Sequence, residues 1–383
     1  MKKIIVVLST FTLLLTGCAS HQDKRQRSSH HVPPDNKLLL FIGQDSDTIS
    51  NYLSQVQEDN VEAVTLYTQL KSPVPDDTLH GIRQASSWDA GTTDFDRTLS
   101  EVPHAALAIG LALDTCNQVN HPARLANGDY DDSLATLIDY LVSLAPRKVF
   151  LRIGYEFDGP WNCYEPEAYK AAFRYIARAL DNADTAHVAT VWQSAVWPDG
   201  YDQTKYDVAA PNHFSSWYPG DDVVDFVGIS VFYRDLSLWN YQPPSNPAEG
   251  QEAALSFART HQKPIMIAES APQGYRTGAL TKSPIHQNKP QPLSAMEIWH
   301  NWYAPYFEFI RRNRDIIKVV AYINTHWDAQ GMWQCNENAA AGRDGCPQGN
   351  WGDSRVQANP YIKAKWLEQV NDTSLWIQTS EYD

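Results

Sequence analysis

The chain has 383 residues and a formal net charge of −14, so it lacks the basic surface that nucleic-acid phosphates require and offers no long-range attraction to polyanionic polymers. Its 13 Trp, 19 Tyr and 12 Phe are more than a core alone explains, because many of the tryptophans stand beside Gly, Pro or Asn and so belong to loops.

In chain order, Met1-Lys2-Lys3 leads into an apolar run from Ile4 to Leu15, too short for a stable bilayer span and of the length of a signal peptide. The next residues, Leu15-Thr16-Gly17-Cys18, resemble a bacterial lipoprotein lipobox. That resemblance implies cleavage before Cys18, lipidation of Cys18, and a protein anchored through lipid to a membrane of the cell envelope, periplasmic or surface-exposed. Residues 18–36 are polar and aperiodic and read as a flexible tether. The expected plan is therefore a lipoprotein signal peptide over 1–17, the lipidated cysteine and tether over 18–36, and one domain over 37–383. No later stretch is long and apolar enough to cross a bilayer.

From residue 38 onward, eight apolar strand-like runs follow one another at 38–43, 63–70, 105–113, 149–156, 187–197, 224–233, 264–270 and 317–327. Amphipathic helical stretches lie between them, for example 133–145, 166–183, 247–261 and 294–313. Near-continuous apolar strands alternating with helices call for a parallel sheet covered by helices, and eight repeats favour closure. The predicted fold class is α/β, a single-domain (β/α)8 TIM barrel with long βα loops. An open doubly wound sheet loses its main support because FIGQDSDT, after the first strand, lacks the G-x-G-x-x-G spacing.

Cys116, Cys163, Cys335 and Cys346 are an even number in an exported chain and favour disulfides. Three pairings are possible. Cys335–Cys346 closes a short glycine-containing loop and is preferred, leaving Cys116–Cys163. The spacings match no zinc motif, so neither a metal nor any other cofactor is expected.

A barrel places its chemistry at the carboxyl ends of the strands. Strand four runs into Glu156 and strand seven into Glu269. Two glutamates reaching one rim from opposite walls are what glycoside hydrolysis needs, one to protonate the leaving oxygen and one on the other face of the sugar. At a separation of about 5 to 5.5 Å the second acts as a nucleophile and configuration is retained. Arg152 lies four residues before Glu156, on the same side of an extended strand, which puts a guanidinium near the carboxylates. Trp161, Trp192, Trp217 and Trp333 fall near predicted loops of that rim, where indole faces can carry the apolar faces of sugars.

These stretches resemble the clan of retaining glycosidases with an acid/base on strand four and a nucleophile on strand seven, and within it glycoside hydrolase family 26, the β-mannanase-like family. Members carry an arginine upstream of the acid/base and a glycine-tryptophan turn after it; Arg152, Glu156, Gly159 and Trp161 fill those places. The family's Tyr-Pro-Gly-Asp stretch before strand six is matched by Tyr218-Pro219-Gly220-Asp221. The resemblance implies that Glu156 is the acid/base and Glu269 the nucleophile, that Tyr233 donates its hydroxyl to Glu269, and that Trp327 is the platform beneath the cleaved sugar. Tyr155 stands where the family usually has histidine and is placed among the substrate-binding residues. The expected substrate is a β-linked polysaccharide or oligosaccharide of mannan, xylan or glucan type, cut internally by a monomer. The alternatives are an exo-acting relative on algal galactan and a non-catalytic carbohydrate-binding lipoprotein.

Overall fold

Eight strands carry the chain around a closed ring in sequence order: β1 (Leu39–Gly43), β2 (Ala63–Gln69), β3 (Ala106–Ala112), β4 (Val149–Ile153), β5 (Val188–Ser194), β6 (Phe226–Val231), β7 (Ile265–Ser270) and β8 (Ile317–Ile323). Each pairs in parallel with its neighbours, and β8 closes on β1 through Leu39 opposite Val319. This is the expected (β/α)8 barrel. The computed structural model describes residues 31–56, 61–113, 116–201, 203–234, 236–239, 241–335, 346 and 348–378; the expected signal peptide, Cys18 and most of the tether lie outside them.

A helix follows every strand: α1 (Ser46–Gln55), α2 (Phe95–Glu101), α3 (Asp131–Ser143), α4 (Pro166–Asp181), α5 (His213–Trp217), α6 (Pro247–Thr260), α7 (Ala304–Arg312) and α8 (Pro360–Val370). In α4 the buried residues Tyr169, Ala172, Phe173, Ile176, Ala177 and Leu180 recur at three- and four-residue steps and lay one stripe on the sheet. Pro166 occupies the first turn, where its missing N–H costs nothing. The helix expected over 294–313 is divided: Ala295–Ile298 passes through a wide π turn, Trp299–Tyr303, before α7. Pro305 cannot donate to the carbonyl four residues back, and the wider turn accommodates that loss.

Inside the barrel, large and small side chains alternate around the wall. Leu39, Phe41, Phe150, Phe226 and Met266 interdigitate with Ala63, Ala106, Ala108, Ala189 and Ala321. Phe150 meets Phe41 and Phe226 edge to face, both at 5.3 Å between ring centres. The predicted tether ends earlier than residue 36. His31 is buried beneath Phe150, bonded to the His187 carbonyl at 2.8 Å, and Val32 packs on the same cluster. The apolar side chains at the open bottom of the ring otherwise face water, which is why this short segment plugs it.

Both disulfides have the expected partners, Cys116–Cys163 and Cys335–Cys346. Among the described residues no helix is long and apolar enough to cross a membrane.

Phe150→Ala empties the centre of the aromatic layer and is expected to lower stability by about 3–5 kcal/mol, read as a shift of the urea midpoint at unchanged slope.

Candidate active site

β4 stops at Ile153, short of Glu156, and the chain turns sharply there. Gly154 and Glu156 both take left-handed backbone angles, φ 55° and 53°. Gly154 is needed at its place, since a Cβ would meet the Tyr169 ring at 2.7 Å. Glu156 holds an angle that a side chain disfavours because the surrounding structure over-determines it. Asn162 Nδ2 donates to the carbonyls of Tyr155 and Glu156 at 3.0 and 2.8 Å, and the Phe157 N–H bonds the Gln193 carbonyl at 2.9 Å. Asp158 accepts from Ser194 Oγ, the Ala195 N–H and His213 Nε2 at 2.5, 2.6 and 2.8 Å. His213 thus serves as an anchor of this loop.

Glu269 reaches the same rim by a different device. Met266 and Ala268 face the barrel interior, so strict alternation would turn Glu269 outward. The register between β6 and β7 slips by one: Ile229 pairs with Ile267, but Ser230 pairs with Glu269. The extra residue on β7 is a bulge, and it turns Glu269 inward while Ser270 faces Tyr306 of α7 at 2.6 Å.

Between the two carboxylates lies a buried polar layer. Arg152, fully buried, forms an ion pair with Oε1 of Glu269. Its Nε donates to Gln193 Oε1 at 2.8 Å and another nitrogen to the Tyr67 hydroxyl at 3.1 Å. Gln193 Nε2 reaches Ser230 Oγ at 3.1 Å and Glu269 Oε1 at 3.4 Å, and Ser230 Oγ donates to Glu156 Oε1 at 2.7 Å. The second oxygen of Glu156 accepts from the Trp161 indole at 3.1 Å. Gly110 leaves the space that the Tyr67 ring occupies; a Cβ there would collide with it. Arg152 thus pairs across the barrel with Glu269, because strand four ends before the spacing to Glu156 takes effect.

Glu156 and Glu269 are 7% and 8% exposed, reachable from the cleft yet largely stripped of water. Burial, reinforced by the negative charge of Glu269, pushes the Glu156 carboxyl up to about 8, against the lowering pull of Ser230 and Arg152. It therefore holds a proton at neutral pH.

The cleft above the carboxylates is lined by Tyr155, Trp161, Trp327 and Trp333, all expected from the sequence. Trp327 lies in a short turn beyond β8 rather than at its end. Three expectations are corrected. Trp192 points outward from β5, since Val191 and Gln193 face inward, and it stacks on Phe157 at 4.5 Å. Trp217 is buried against Phe157 and Tyr169, its indole bonded to the Lys205 carbonyl. Tyr233 lies past the end of β6, packed against Trp197 and Trp239, and its buried hydroxyl has no partner among the described residues. Arg152 and Gln193 are the donors to Glu269 instead. Sequence reading missed Tyr67, Gln193 and Ser230, though each sits at an inward position of a predicted strand. It also missed Trp88, Tyr201, Phe232 and His286 in the cleft wall. Among the described residues no group of three His, Cys, Asp or Glu side chains is placed to hold a metal ion.

Paired buried carboxylates under an aromatic cleft, at the carboxyl rim of a (β/α)8 barrel, define a glycoside hydrolase. No family model matches the chain. It is 34% identical over 377 residues to the β-1,3-xylanase TXYA of Vibrio sp., covering 97% of this chain and 72% of that protein. A β-1,3-xylanase of Alcaligenes sp. is 33% identical over 386 residues, with 100% and 72% covered. The chain belongs to the family of these β-1,3-xylanases. Its barrel is shared with a family 26 β-mannanase from Bacteroides ovatus at a TM-score of 0.56 and 12% identity, over 94% of this chain and 96% of that one. The resemblance to family 26 thus holds in the fold.

The raised pKa has a consequence for stability. The folded state keeps the Glu156 proton up to about pH 8, whereas the unfolded chain releases it near 4.5. Its stabilising contribution is therefore complete below the lower value and is lost as pH rises through the upper one. Glu156→Gln is expected to gain Tm relative to the parent protein as pH is raised from 6 to about 9. A constant Tm difference over that range would show that Glu156 titrates elsewhere.

Proposed function

We propose that the protein is a retaining endo-β-1,3-xylanase in which Glu156 is the acid/base and Glu269 the nucleophile. The observation that carries this reading is the division of labour between two carboxylates in one polar layer, one protonated at neutral pH and one ion-paired with Arg152. The xylan assignment is supported by the two relatives, whose names give that activity over nearly the whole of this chain. Internal cleavage is supported by a cleft whose aromatic lining is drawn from separate parts of the rim, Tyr67 and Trp88 from β2 and the segment after it and Trp197 and Tyr201 from the loop after β5.

Oε1 of Glu269 is occupied by Arg152 and Gln193, and among the described residues no donor reaches Oε2. Oε2 is then the atom that attacks the anomeric carbon, while Glu156 gives its proton to the departing glycosidic oxygen. Once Glu269 is esterified its negative charge is gone, and with it one of the causes that raise Glu156. The Glu156 carboxylate then takes a proton from water, which attacks the anomeric carbon and releases the sugar with its configuration retained. Each chain carries the whole arrangement, which supports action as a monomer.

Anchoring to the cell envelope through Cys18 is part of the proposal. It is supported by the Leu-Thr-Gly-Cys sequence and by two disulfides, which form in oxidising compartments.

Glu269→Ala is expected to lower kcat on β-1,3-xylan by at least about 10⁴-fold while the protein still binds the polymer. For the parent enzyme, NMR should find the β-anomer first; an α-anomer would remove the nucleophilic role from Glu269. Cys18→Ser is expected to move the expressed protein from the membrane pellet to the soluble fraction, and its retention in the pellet would count against the anchor.

A further inference from the structure

A second, smaller groove opens off the cleft on the β2–β3 side. It shares the rings of Tyr67, Trp88 and Tyr155 with the cleft, and beyond them it is lined by Gln69, His80 and Ser86. Trp88 stands in the loop of a two-stranded ribbon, Ser86–Ser87 with Thr92–Thr93. The tip of this ribbon is tied to the loop after β8, where the Met332 N–H bonds the Asp89 carbonyl at 3.1 Å and Gly331 lies flush against the Asp89 side chain. Since β1 lies between β8 and β2 in the ring, this contact forms a bridge over β1. The cleft and the groove meet at Tyr67, Trp88 and Tyr155, which line both, so a chain that passes from one to the other runs over these rings.

The far end of the groove is already ordered. Gln69 Nε2 and His80 Nδ1 are hydrogen-bonded at 2.9 Å. The segment that carries His80 is fixed to β2, because Thr68 Oγ1 donates to the His80 carbonyl at 2.8 Å and the Leu79 N–H to the Gln69 carbonyl at 2.9 Å. Aromatic faces at the entrance and hydrogen-bonding groups at the end, held in place by their own contacts, match a pyranose, with a ring face to stack and hydroxyls to bond.

We propose that this groove is a remote sugar subsite, with Gln69 and His80 binding a unit of the substrate chain away from the bond being cut. The proposal rests on the glycosidase reading above. Neither residue touches Glu156, Glu269 or their hydrogen-bond partners. The test is a ladder of oligosaccharides of increasing length, assayed with the parent enzyme, Gln69→Ala and His80→Ala. The parent enzyme should show a step in kcat/KM at the length that first fills the groove. Each variant should reduce that step by about three- to tenfold through KM, the loss of one or two net hydrogen bonds, and leave the shortest cleaved substrate unchanged. An unaltered ladder, or an equal loss at every length, would overturn the subsite. The ladder is built from whichever β-linked sugar the parent enzyme cleaves, so an error in the xylan assignment changes the substrate and leaves the comparison intact.

Discussion

The site depends on a guanidinium placed in the middle of a barrel. Arg152 is completely buried, and a charge in that position is tolerated only when countercharge and hydrogen bonds replace the water it has lost. Glu269, Gln193 and Tyr67 supply them, with the rings of Tyr67 and Tyr155 at 5.0 and 5.3 Å from the guanidinium carbon. The requirement runs outward from there: Gln193 is oriented by Arg152 and passes a hydrogen bond to Ser230, and Ser230 orients Glu156. One buried cation therefore fixes the positions of two carboxylates that come from strands on opposite walls. Below this layer the barrel interior is mostly apolar, which leaves these polar groups few partners other than one another.

The architecture was legible because its signal is periodic and repeated. All eight apolar runs became barrel strands, and the alternating helices cover them as parallel strands demand. The two glutamates were legible for a related reason: each follows an apolar run directly, and a barrel gives that position one meaning. The manner of their arrival was not. Glu156 comes into place through left-handed backbone after the strand has ended, and Glu269 through a bulge that reverses its facing. Both are departures from local regularity that only tertiary packing decides.

Tryptophan was the residue type most often misplaced, and the cause is physical. An indole suits a sugar face and a barrel–helix interface equally well, so its neighbours in sequence do not separate the two. Trp192 and Trp217 ended in the interface, where with Phe157 they clamp the loop that bears Glu156. They contribute to the site through that loop and not through the substrate. Ser230, Gln193 and Tyr67 went unnoticed because small polar or aromatic residues in an apolar strand carry no motif; their importance comes from which residue of another strand stands beside them.

Gly110 stands between the helix-facing Ile109 and Leu111 and bears no group that meets a sugar, yet its bare backbone is what lets the phenol of Tyr67 lie against the wall. Adding one methyl group there would displace an aromatic ring, and the ring would carry a hydrogen bond to the arginine with it. The tolerance of this enzyme to sequence drift is thus set in part by a missing side chain in β3, a restriction that an inventory of residues contacting ligand would never reveal.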